Sequence, residues 1–169
     1  MNFKNAGDVI LLLGKQQNDI GSSEYLHKLK KTEYSPAPYF DLDEELAVQQ
    51  FVSHIIKEKI IQSAHDISEG GLIITLMESG FYNQLGFSVS AQTNFRKDAY
   101  WFGEAQGRVV VSASKLNAQG LKLKAEQAGI EIIELGIVTG GNIEVNGEGW
   151  GSVADWKLKY DTAIEKMMK

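Results

Sequence analysis

In the stretch Ser63–Leu72, SAHDISEGGL, a strand-like run gives way to a helical one across two adjacent glycines, Gly70 and Gly71. The turn between the two runs is left uncovered by its two glycines. It also leaves first-turn N–H groups, here those of Glu69, Gly70 and Gly71, without carbonyl partners. Ser68 is placed to cap the helix through its hydroxyl. With no side chains over the turn, a phosphate or carboxylate can approach those amides closely. Asp66, just before the turn, is suited to holding a loop N–H, a hydroxyl or a metal. The same residues also describe a capped helix whose glycines let it pack tightly on a sheet, so both readings stand.

The rest of the chain supplies the sheet and helices that such a turn needs. Val9–Leu13 is a short apolar run that reads as a buried strand. A short helix is expected within Gly21–Lys30. An extended loop follows through Thr32–Tyr39, which holds both prolines, Pro36 and Pro38. Asp41 or Asp43 is placed to cap an amphipathic helix running to Lys59, with Leu46, Phe51, Val52, Ile55 and Ile56 at three- and four-residue spacings. Ile60 and Ile61 lead into a strand ending near His65. The next helix carries Leu72, Ile73, Leu76 and Met77 and is expected to stop at Gly80 in a left-handed cap. Leu85–Ser90 alternates as a half-buried strand, Arg96–Phe102 reads as a short helix, and Val109–Val111 as a buried strand. Ser114 caps a helix to Ala128. Ile130–Val138 and Asn142–Val145 read as a hairpin over Gly140-Gly141. Asp155 is expected to cap a last helix with Trp156, Tyr160, Ala163, Ile164 and Met167 on one face.

Composition then excludes whole classes. The 169 residues carry 17 basic and 22 acidic side chains, a net of −5, which disfavours general nucleic-acid binding. Without cysteine there is no disulfide scaffold, thiolate zinc site or cysteine nucleophile. The apolar core of the first residues, Val9–Leu13, is too short for a signal peptide or a membrane span, so a cytoplasmic location is expected. His27, His54 and His65 have no metal-ligand spacing. Ser63, His65 and Asp66 adjoin in sequence, but a triad requires spatial order.

Two further stretches carry chemistry. In Phe102–Val111, FGEAQGRVVV, Glu104, Gln106 and Arg108 lie in a polar loop feeding a buried strand. They present a carboxylate, an amide and a guanidinium at a sheet edge, or alternatively an Arg–Glu pair steadying a turn. In Gly21–Leu26, GSSEYL, two serines and a glutamate open a short helix, with Ser22 or Ser23 and the following Glu24 (Ser23 and Glu24 as the site pair) placed either as a cap or as ligand contacts.

These three stretches, together with Gly7-Asp8, Asp41-Leu42-Asp43 and Leu135–Thr139, occur in the order found in the C-terminal half-unit of the aminoimidazole ribonucleotide synthetase-like enzymes. The chain resembles that family over nearly its whole length, and within it the phosphoribosylformylglycinamidine synthases. Trp156–Met168 also resembles the closing helix of their compact synthetase subunit. The resemblance implies one domain over residues 1–169 with an α+β, α/β-like fold: a mixed sheet of about five or six strands covered by helices. It implies part of an ATP-dependent ligase that phosphorylates the formamide oxygen of formylglycinamide ribonucleotide, with ammonia from a glutaminase then displacing phosphate. ATP and Mg2+ belong to the full enzyme, largely to N-terminal domains that have no match in this chain. The partners implied are those domains, a glutaminase subunit or domain and the purine ribonucleotide, with no nucleic acid and no membrane.

Carried over residue by residue, Asp66, Ser68, Gly70 and Gly71 match the family's helix-start motif. Glu104, Gln106 and Arg108 match a loop that contacts the ribonucleotide in the family's first unit, and Ser23 and Glu24 match its serine–glutamate signature. Ala105 stands where serine is usual, and Ser22 where glycine is common, at a position expected to need positive φ at a cost on the order of 1 kcal/mol. No catalytic residue and no metal site are expected in this chain. The expected role is support for phosphate or nucleotide binding and assembly within the ligase. The alternative is a stand-alone anion-binding, nucleotide-binding or assembly module.

Overall fold

The computed structural model describes residues 1–91 and 95–168. Among these, one mixed sheet runs in the order β2-β4-β1-β5-β3-β6-β7. The strands are β1 (Val9–Leu13), β2 (Ser63–Asp66), β3 (Gly86–Val89), β4 (Val109–Ala113), β5 (Ile132–Thr139), β6 (Asn142–Val145) and β7 (Glu148–Ser152). The helices are α1 (Leu42–Lys57), α2 (Gly71–Phe81), α3 (Lys97–Phe102), α4 (Lys115–Gln127), α5 (Val153–Asp161) and α6 (Ala163–Met167), with a π-helical turn over Tyr25–Leu29. The mixed, helix-covered sheet is the fold expected, with seven strands in place of five or six.

The strand β1 explains the layering. All five of its residues are buried because helices cover both faces of the sheet. Ile10 and Leu12 join the core beneath α2 and α3, with Phe87, Leu135 and Val138. Val9, Leu11 and Leu13 point the other way, into a second core with Val48, Phe51 and Ile55 of α1 and Leu121 of α4.

Of the two caps expected for α1 the chain uses Asp41, its carboxylate accepting the N–H groups of Asp43 and Glu44 at 3.0 and 2.9 Å, so that expectation holds. Several other local expectations are corrected. Gly80 does not end α2. It keeps helical geometry within a helix that runs to Phe81, where a side chain would strike the carbonyl of Leu85. Ser152, not Asp155, caps the helix after β7, accepting the Asp155 N–H at 3.1 Å. That helix breaks at Thr162 into α5 and α6. Trp156 and Tyr160 pack against Trp150 and Phe81, whereas Ile164 and Met167 are exposed.

The expected β5–β6 hairpin is absent. β3 lies between them, antiparallel to β5 and parallel to β6. The Gly140-Gly141 connection passes around the end of β3 at Gly86, where a Cβ would meet Thr139 Oγ1 at 2.6 Å and the Asn142 carbonyl. Only a residue without a side chain lets the chain cross there. The hairpin partner of β6 is β7, joined through Asn146-Gly147 at φ 54° and 80°, the backbone signature of a type I′ turn.

Candidate functional site

Register places the three chemistry-bearing stretches together. Val109 at the start of β4 pairs with both Leu13 at the end of β1 and Asp66 at the end of β2. The loops after β1, after β2 and before β4 therefore emerge at one end of the sheet. They carry GSSEYL, SEGG and EAQGR respectively.

The start of α2 has the geometry that two glycines permit, with Gly70 at φ 84° and Gly71 at φ 71°. Two of the three amides expected to be open, those of Gly70 and Gly71, are already engaged. The Ser68 hydroxyl does not cap the helix; the Ser68 carbonyl accepts the Gly71 N–H at 3.0 Å. The Gly70 N–H donates at 2.9 Å to Glu104 Oε1. The same oxygen accepts the Glu24 N–H, also at 2.9 Å. The anion at this helix start is thus a carboxylate of the chain itself, placed where the helix dipole and two charge-assisted hydrogen bonds favour it. Gly71 is buried, and a Cβ there would lie 2.7 Å from Phe102 Cα and 2.9 Å from the Gly103 carbonyl.

Arg108 faces inward and is 2% exposed. Its guanidinium donates to the Gly103 carbonyl at 2.7 Å, Gln16 Oε1 at 2.9 Å and the Ala105 carbonyl at 3.1 Å. Burial lowers its pKa to about 10, opposed by the charge of Asp19. The expected Glu104–Arg108 ion pair is not formed among the described residues: Glu104 reaches out to two amides while Arg108 turns into a cage of carbonyls. Ala105 is buried, so the position where serine is usual lies in the interior.

Ser23 is buried as well. Its hydroxyl donates to the Ile20 carbonyl at 2.8 Å and accepts the Leu26 N–H at 3.4 Å. Ser22 does adopt positive φ, 53°, with its hydroxyl 3.1 Å from the Pro36 carbonyl. Tyr25 stacks on Phe102 at 4.8 Å. Two residues of the frame escaped the sequence reading, Gln16 and Asp19. Asp19 accepts the N–H groups of Gly21 at 2.8 Å and Tyr39 at 2.9 Å. The Asp-x-Gly spacing of an Asx turn was the available signal.

Asp66, Ser68 and Gln106 are exposed at this end. Gln106 lines a cavity of about 370 Å3 between the first turn of α1 and the ends of β1, β4 and β5. Asp41, Asp43, Glu44, Glu45 and Glu131 also line it, with Lys15 as the opposing charge. Tyr39, at its lip, has its pKa raised by burial and by the neighbouring carboxylates of Glu44 and Asp41. This field repels a phosphate. With the Gly70 amide bonded to Glu104, the groups at this end do not by themselves fit a polyphosphate. Among the described residues no three His, Asp or Glu side chains converge as a metal set.

The histidine beside Asp66 is structural. His65 Nδ1 lies 3.0 Å from Ser79 Oγ, whose own proton goes to the Thr75 carbonyl at 2.7 Å. Nδ1 is therefore the donor, and Nε2 faces Glu78 at 3.7 Å. Burial pushes the His65 pKa down against the pull of Glu78. Ser63 is bonded to Ser112 at 2.7 Å, so the adjacent Ser, His and Asp form no triad.

The family model "AIR synthase related protein, C-terminal domain" matches residues 5–147. Phosphoribosylformylglycinamidine synthase subunit PurL of Methylocella silvestris is 33% identical over 159 residues, covering 94% of this chain and 22% of its own length. The PurL of Anaeromyxobacter sp. strain K is 38% identical over 155 residues, covering 86% of this chain and 20% of its own. The chain thus spans about a fifth of the length of these curated relatives. The structure of Thermotoga maritima PurL complexed with FGAR superimposes with a TM-score of 0.71 at 14% identity, over 92% of this chain and 28% of that one, a likeness of fold. Among the described residues no helix is long and apolar enough to cross a membrane. The match across residues 5–147, the two relatives and the shared sheet lead to one conclusion: the chain belongs to the family of AIR synthase related proteins, as a C-terminal domain.

Proposed function

We propose that residues 1–169 act as one domain of an ATP-dependent carbon–nitrogen ligase of purine biosynthesis, which converts formylglycinamide ribonucleotide (FGAR) to its amidine in the cytoplasm. In this reading ATP, Mg2+ and the purine ribonucleotide are held mainly by N-terminal domains of the same enzyme, and a glutaminase subunit or domain supplies ammonia. This domain contributes a rigid frame at one end of its sheet. Ser23, Glu24, Gly70, Gly71, Glu104 and Arg108 build the frame. Asp66, Ser68 and Gln106 are the groups left to meet a ligand or a neighbouring domain.

The observation that carries the reading is the convergence of three sequence-distant loops on Glu104, since these loops carry the resemblance to the synthases. The relatives' names and the FGAR complex of Thermotoga maritima PurL support the substrate. A stand-alone anion-binding module accords less well with a carboxylate-lined cavity and an amide already bonded.

The test is an assay with FGAR, ATP, magnesium and ammonia on two samples: this chain alone, and this chain in place of the equivalent segment of a relative's subunit. Turnover is expected in the second sample only. Turnover by the chain alone, or an inactive chimera that folds, overturns the proposal.

A further inference from the structure

Glu104 is held from below and above. Below, Arg108 donates to the carbonyls of Gly103 and Ala105 on either side of it, which anchors the backbone from which its side chain reaches. Above, Oε1 receives two amides, from residues 80 and 34 positions away in sequence. One carboxylate oxygen accommodates two such donors, so this atom is filled by the protein itself. The stacked Tyr25 and Phe102 tie the same two loops a second time.

We propose that Glu104 is a positioning residue. Through the amides of Glu24 and Gly70 it sets the spacing between the loop opening the π-helical turn and the loop carrying Asp66 and Ser68, and so sets the shape of the face this domain offers. The role requires an oxygen at the reach of a glutamate side chain. The negative charge strengthens the two hydrogen bonds but does not set their reach. Glutamine keeps that oxygen and can accept both amides, whereas aspartate keeps the charge but falls one methylene short. A group acting by charge, as a base or cation ligand, gives the opposite order.

The first experiment uses this chain and is independent of the ligase reading. In 1H–15N spectra, the Gly70 and Glu24 amide protons of the wild type are expected downfield, as donors to a carboxylate. In E104A both move upfield. Adding sodium formate, a carboxylate small enough to enter the vacated space, returns both along one saturation curve. Wild type does not respond to formate. Amides that stay in place in E104A, or that answer formate with different midpoints, overturn the clasp. If E104A does not fold, E104Q and E104D give the contrast, with both amides kept downfield in E104Q, though less so than beside the wild-type carboxylate, and both displaced in E104D.

The second experiment rests on the proposed function and uses the chimeric subunit. E104D is expected to raise KM for FGAR on the order of tenfold with kcat little changed, while E104Q stays within about threefold of wild type. Retained activity in E104D with loss in E104Q overturns the positioning role. A chimera inactive even with Glu104 counts against the ligase reading and leaves the spectroscopic result to decide the clasp.

Discussion

Replacing Arg108 by lysine separates two roles that one guanidinium can play. If Arg108 is a ligand contact, lysine keeps the charge and folding is spared. The structure assigns it three internal acceptors instead: the Gly103 carbonyl, the Gln16 side chain and the Ala105 carbonyl. These lie in directions that match a planar fork of nitrogens. A lysine has one nitrogen on a flexible stem and reaches one of the three well. The other two become buried acceptors without donors, each costing about 1–3 kcal/mol. The loss of stability is therefore expected at roughly 2–4 kcal/mol, below the plain sum because the loop relaxes. For a chain of this size that corresponds to a fall in Tm on the order of 5–15 °C. Urea unfolding of wild type and R108K, followed by tryptophan fluorescence, measures it. A variant within about 1 kcal/mol of wild type, whose chimera nevertheless loses FGAR affinity, refutes the framing role and restores Arg108 to the ligand.

Two other perturbations test neighbouring features. G71A is expected to destabilise the chain by about 2–4 kcal/mol, because alanine at φ 71° is strained and its Cβ lies 2.7 Å from Phe102 Cα; an unchanged urea midpoint disproves the close approach. Burial holds the His65 pKa below its ordinary value of 6.5, so the unfolded chain takes up the proton first. The stability gained by keeping His65 neutral is complete above that value and is lost as pH falls below it toward the folded value, so the urea midpoint drops as the pH is taken down through 6.5. H65Q flattens that drop, and an identical pH profile in the variant excludes His65 as its source.

Much of this molecule is legible from local patterns. The uninterrupted apolar run Val9–Leu13 marks a strand covered on both sides, and the spacing of Phe51, Val52 and Ile55 marks α1, because burial imposes its own period on the chain. The position needing positive φ at Ser22 is legible too. What a local pattern cannot carry is pairing between distant segments. Ile132–Thr139 and Asn142–Val145 each read as strands, yet nothing within them announces that Gly86–Val89 lies between. The trace of that arrangement is Gly86 itself, whose missing side chain reads from sequence alone as ordinary turn chemistry. The site follows the same division. Glu104, Gly70 and Glu24 stand out by residue type. That one carboxylate fills the helix start, and that Arg108 faces inward, are consequences of register among β1, β2 and β4. β7 escaped for a different reason: Asn146-Gly147 is a strong hairpin signal, but the flanking Glu148–Ser152 has two glycines and little alternation.

The wedging of β3 between two strands that adjoin in the chain bears on how the protein is made. Left to themselves, Ile132–Thr139 and Asn142–Val145 have the length and the two-glycine link to zip together within microseconds, closing the slot. Synthesis from the N-terminus works against this, because residues 71–89, which form α2 and β3, are made before either flanking strand. A circular permutant that delivers Gly86–Val89 last removes this safeguard. It is expected to accumulate a trapped species with the slot shut, although every native contact remains available to it.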